Sequence, residues 1–118
     1  MQWLKQDLAG VGSVQPTIIF FHYNVVGSDS DWWDYGEKDV FFDAIKGYNI
    51  KLIVTGHQHE SFSHVWRGKI PMVCVCGDYF AACEYKKIDQ SVRVDFYNGN
   101  GDMVLWSDLL RQDYNEVI

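Results

Sequence analysis

His22, His57 and His59 are three of the four histidines in this chain of 118 residues, and they close two runs that read as strands. Residues 17–22 run Thr-Ile-Ile-Phe-Phe-His, and residues 51–59 run Lys-Leu-Ile-Val-Thr-Gly-His-Gln-His. Imidazole is the commonest protein metal ligand and suits zinc, iron, nickel and copper, and manganese when carboxylates share the site. In an extended segment residues i and i+2 point to one side. Both rings of His57-Gln58-His59 can then reach one ion, or one ion each of a close pair. Gly56 relieves backbone crowding just before them and gives the chain a sharp exit from the strand. A lone histidine is more often a satisfied polar residue than a ligand, and His64 is read that way because it has no partner at ligand spacing. Three histidines at converging strand ends point instead to a metal.

The elements that must position these rings follow from the pattern of apolar residues. Residues 17–22 and 51–55 are short β-branched and aromatic runs of the kind that form buried strands. A helical pattern lies between them, so the two strands are expected to be parallel. In open α/β sheets ligands gather at the carboxyl ends of the strands, which is where the histidines fall. Residues 2–8 carry Trp3, Leu4 and Leu8 at helical spacing, and Gly10 and Gly12 are expected to stop that helix. Residues 37–46 form a second helix with Val40, Phe41, Ala44 and Ile45 on one stripe and Gly47 closing it. Between the first strand and this helix lies a long loop, residues 23–36, rich in aromatic and polar residues. Loops of that length are usually functional or mobile. Trp32 and Trp33 are adjacent in it, so at least one should be partly exposed. Together with Asn24 they are the candidate substrate contacts.

Beyond Glu60 the pattern changes. Residues 63–67, 70–76, 80–88, 91–97 and 103–109 read as short strands, with hairpin-type turns at 67–69 and 98–101. The tail, 111–118, is polar and expected to be loosely held. The fold class is therefore α/β, in the α+β sense: a mixed sheet with two helices followed by an antiparallel β-meander. No composition break marks a linker, so residues 1–118 read as a single domain.

Composition bounds the partners. Hydrophobic residues make up 47% of the chain and aromatics 16%, which places it among globular proteins. No apolar run approaches the roughly 20 residues that span a bilayer, so no membrane partner is expected. The formal net charge is −6, the basic residues are scattered, and no nucleic-acid groove is evident. A bound metal would let such an acidic chain still take an anionic substrate. The three cysteines, Cys74, Cys76 and Cys83, are odd in number. Cys74 and Cys76 are two apart in an apolar strand and should face the same side. They read as buried thiols in a reducing compartment. With no visible signal peptide, this favours a cytoplasmic location.

In this order the residues resemble the calcineurin-like metallophosphoesterases, the group that includes purple acid phosphatases. The resemblance is carried by a strand ending in Phe21-His22-Tyr23-Asn24, a loop, a helix, a strand ending in Gly56-His57-Gln58-His59, and the β-meander that follows. The helix through Gln2-Trp3-Leu4-Lys5-Gln6-Asp7-Leu8 fits as well. The resemblance covers residues 2–110 and corresponds to the C-terminal half of that family's β-sandwich domain. It implies a dinuclear metal centre of iron, zinc, manganese or nickel, with His22 and His57 on the second metal and His59 on the first. It also implies a phosphoester substrate, attacked in line between two ions about 3.5–4 Å apart.

The chain departs from the family at its other motifs. The Asp-x-His, Gly-Asp-x-x-Asp and Gly-Asn-His-Asp/Glu motifs, all N-terminal in the family, are not in this sequence, and residues 98–102 resemble the last only in letters. The expectation is a metal-dependent phosphoester hydrolase fragment whose parent is the enzyme. The catalytic residue itself is not identified. The alternative is a non-catalytic binding module that keeps the fold. A β-barrel oxygenase of the cupin kind fits less well, because Glu60 stands too close to His59 to be its third ligand. If half a sandwich is missing, an uncovered strand edge should drive homodimerisation or swapping.

Overall fold

The computed structural model describes residues 1–26, 32–34, 36–57, 61–75 and 77–105. Its elements run α1 (Gln2–Val11), β1 (Thr17–Tyr23), α2 (Glu37–Ile45), β2 (Ile50–Gly56), β3 (Phe62–Trp66), β4 (Ile70–Cys74), β5 (Phe80–Lys86), β6 (Ser91–Tyr97) and β7 (Met103–Val104). They form a mixed α+β globule of two helices and two sheets. The first sheet has the order β1-β2-β4-β3 and the second β5-β6-β7. β1 and β2 are parallel, as the intervening helix requires.

The five strands after β2 do not form one meander. β3 and β4 make a hairpin, but β4 inserts beside β2 in parallel, and β3 becomes the outer strand. Burial explains the order. β4 hides four of its five residues while β3 exposes Ser63 and Val65, so β4 takes the inner position. At the hairpin tip Arg67 and Gly68 both have positive φ, 52° and 66°. The Lys69 amide donates to the Trp66 carbonyl at 3.0 Å. Positive φ at both central residues gives the turn whose twist matches the flanking strands.

The first sheet is covered on both faces. One face meets the helices through Leu4, Leu8, Phe41, Ile45, Ile53 and Met72. The other meets the second sheet through Leu52, Val54 and Val73 against Val94 and Phe96. β2 alternates between the two clusters, which is why its sequence is apolar without a break.

The helices differ in detail from their sequence patterns. α1 runs through Gly10 to Val11, and Gly12, at φ 93°, is the cap that ends it. On α2, Phe41 and Ile45 are buried, Phe42 and Ala44 pack against them, and Val40 is 47% exposed. Val40 is therefore on the solvent side, because at 100° per residue the stripe is already filled by Phe41, Phe42 and Ile45. No helix among the described residues is long and apolar enough to cross a membrane. The expected reach of the last strand beyond Leu105, the tail and Cys76 lie outside the described residues.

Candidate functional site

β1 and β2 end side by side, with Tyr23 opposite Gly56 in the ladder. That register brings His22 and His57 together. His22 Nε2 and His57 Nδ1 stand 3.3 Å apart, with the donor and acceptor roles set by the tautomer. The distance is long for a hydrogen bond. It matches the spacing of two nitrogens each about 2.1 Å from one tetrahedral ion, which is roughly 3.4 Å. His22 is exposed and His57 half-buried, so a bound ion would keep positions open to solvent.

The turn out of β2 is made by a different residue from the one the sequence suggests. Gly56 stays in the strand without positive φ, and His57 takes the left-handed conformation at φ 71°. The extended conformation that the i, i+2 alternation assumes is therefore broken at His57. A Cβ at Gly56 would meet His22 Nδ1 at 3.6 Å, an ordinary contact. The buried Cys74 thiol donates to the Gly56 carbonyl at 3.4 Å and ties the end of β2 to β4. His59 lies outside the described residues, and among the described residues no group of three or more His, Cys, Asp or Glu is placed to hold a metal.

Asn24, Trp32 and Trp33 have three different environments. Asn24 is 1% exposed, and its Oδ1 accepts the Val26 amide at 2.8 Å, which shapes the chain just after β1. The Trp33 indole donates to the Tyr23 carbonyl at 2.9 Å and packs edge-on against Phe21. Trp32 lies flat on Tyr23, with centroids 4.7 Å apart and planes 19° apart, and stands nearly perpendicular to the His57 ring. Tyr23 in turn contacts both imidazoles, with centroids 4.8 Å from His22 and 4.7 Å from His57. Tyr23 is the member of the site that sequence reasoning passed over. Its signal was its position, directly after a strand-ending histidine. His64 sits on β3, three strands across the sheet from β1, and takes no part.

A groove of about 350 Å³ opens beside His22. Its lining includes Trp3, Phe20, His22, Tyr23, Trp32 and Trp33, and among the described residues Glu37 is its one acidic side chain. It follows β1, an outer strand of its sheet whose Phe20 is 65% exposed. The site thus combines two facing imidazole nitrogens, an aromatic shelf and an apolar trough, all at the carboxyl ends of two parallel strands. Compared with family models, curated proteins and solved structures, the chain matches none of them.

Proposed function

We propose that this chain is the metal-binding part of a metal-dependent phosphoester hydrolase. The observation that carries the reading is the 3.3 Å separation of His22 Nε2 and His57 Nδ1 across adjacent strand ends. The resemblance of Phe21-His22-Tyr23-Asn24 and Gly56-His57-Gln58-His59 to the calcineurin-like phosphoesterases supports it, and extends the ligand set to His59.

The donor set fits a borderline ion. Two neutral imidazoles suit zinc, iron, nickel or manganese completed by oxygen ligands. When bound, such an ion supplies Lewis acidity toward a phosphoryl oxygen and lowers the pKa of a coordinated water. The chain's own part is placement. β1 and β2 fix the two rings in register, and the Cys74–Gly56 hydrogen bond steadies the end of β2. The Trp33–Tyr23 hydrogen bond holds Trp33 against the end of β1. Tyr23 and Trp32 pack around His57 and screen one side of it from water. The carboxylate motifs that complete a dinuclear centre in the family are not in this sequence. Full turnover therefore requires ligands that residues 1–118 do not carry in those motifs.

The test is elemental analysis of the purified chain beside a His57→Ala/His59→Ala variant, with hydrolysis of p-nitrophenyl phosphate followed on the same samples. Near-stoichiometric metal that is lost in the variant supports the reading. An absence of metal under every loading condition overturns it.

A further inference from the structure

We infer that the site selects monophosphoesters of flat aromatic alcohols, with the ring lying on Trp32 while the phosphate sits at His22 and His57. This rests on the reading of the histidine pair as a phosphate-binding metal site. It adds the part of the substrate that the metal does not touch.

Three features of the molecule lead there. Trp32 is stacked on Tyr23 on one face, yet remains 58% exposed. A ring already held flat and still open to solvent is a ready stacking platform. The platform is also adjacent to the histidines. The Trp32 and His57 centroids are 5.4 Å apart with planes at 86°, and Tyr23 bridges to His22. The platform is therefore within reach of a ring one ester bond away from a phosphate at the histidines. Finally, the platform rests on Tyr23, and the adjacent Trp33 is hydrogen-bonded to the Tyr23 carbonyl and packed against Phe21 and Phe41. Holding these rings in place before the ligand arrives avoids an ordering cost on binding.

The groove decides between ester classes. Among the described residues its lining is apolar and aromatic apart from His22 and the carboxylate Glu37, with no Lys or Arg side chain. A nucleic-acid backbone or a sugar bisphosphate brings further phosphates that need cationic partners, and no Lys or Arg among the described residues lines the trough to meet them. A single phosphate on an aryl group needs none beyond the metal.

The experiment uses the zinc-loaded chain and three ligands that cannot be hydrolysed: inorganic phosphate, phenylphosphonate and cyclohexylphosphonate, titrated by calorimetry. The two phosphonates match in charge and nearly in size and differ in flatness. Phenylphosphonate should bind about five-fold more tightly than cyclohexylphosphonate. Trp32→Ala should abolish that preference, and Trp32→Phe should restore most of it. Equal binding of the two phosphonates to the unsubstituted chain overturns the inference, as does a preference that survives Trp32→Ala. Loss of inorganic phosphate binding in Trp32→Ala also overturns it, because Trp32 would then support the site rather than the ring. If phosphate binds and no ring preference exists, this inference alone falls. If phosphate fails to bind the zinc-loaded chain at all, the phosphoesterase reading falls with it.

Discussion

His22 Nε2 and His57 Nδ1 meet at 3.3 Å although 35 positions separate them in the chain. The parallel pairing of β1 and β2, with Tyr23 level with Gly56, produces that meeting. A slip of one residue in this register would turn every side chain of one strand to the opposite face and part the two rings. The functional proposal therefore stands on a backbone relationship as much as on two side chains.

The conformation of His57 carries a cost that glycine would not. At φ 71° a residue with a Cβ is disfavoured by about 1 kcal/mol or more relative to glycine. His57→Gly and His57→Ala remove the same ring and its contacts with Tyr23, Trp32 and His22. His57→Gly should nevertheless be more stable than His57→Ala by about 1 kcal/mol in urea unfolding, with metal binding weakened in both. Equal stabilities would show that the backbone here is not held in the left-handed region.

Two glycines should respond differently to alanine. Gly36, the residue before α2, has φ 86° and open space around it. Gly36→Ala should cost about 1 kcal/mol from backbone strain alone. Gly56 lacks positive φ, and a Cβ there makes only an ordinary contact with His22. Gly56→Ala should change stability by less than about 1 kcal/mol, since strand interiors favour alanine over glycine by a comparable amount. Thermal unfolding of the two variants side by side checks both values.

Trp66 anchors the core under α2. It is 1% exposed, stacks on Phe41 at 5.7 Å and meets Phe42 edge-on. Trp66→Ala should cost about 3–5 kcal/mol and lower the unfolding midpoint by roughly 10 °C or more. Arg67 extends over both the Phe42 and Trp66 rings and pairs with the exposed Asp39 at 2.7 Å. Asp39→Ala should cost less than about 1 kcal/mol and lose its effect at high salt. Arg67→Ala should cost more, because the stem and the stacked guanidinium go with the charge.

The thiols should differ in reactivity. Partial burial raises the Cys83 thiol above its ordinary range, and Cys74 is buried against the Gly56 carbonyl. Thiolate is the reacting species. Native-state alkylation by iodoacetamide, mapped by mass spectrometry, should leave Cys74 unmodified. Cys83 should label more slowly than glutathione at pH 8, with the difference shrinking as pH rises. Rapid labelling of Cys74 would mean that β4 is not packed as described.

Much of the site's scaffold was legible in the residues. β2 read as a buried strand because Leu52, Ile53 and Val54 feed two cores on opposite faces, and that leaves no polar alternation. Parallel pairing with β1 followed from the helix between them. The insertion of β4 between β2 and β3 was not legible. A hairpin pattern fixes the partner inside the hairpin, while the strand that meets β2 is decided by non-local burial. The exit from β2 was assigned to Gly56 from residue type, but Gly56 is held in the ladder opposite Tyr23, so the turn passes to His57. Tyr23 and Trp32 as a stacked shelf could not be read from spacing, because the loop between them has no period.

The most direct measurement is a double-substitution cycle on zinc affinity, using His22→Ala, His57→Ala and both together, read by competition with a chelating dye. If the two rings hold one ion, each single substitution should weaken binding by about 100-fold, judged against the 10- to 100-fold cost of losing even an outer-shell partner. The double variant should then be little worse than either single, because the first loss already breaks the shared site. Zinc affinity unchanged in either single variant, or losses that simply add, would contradict a single ion held between His22 and His57.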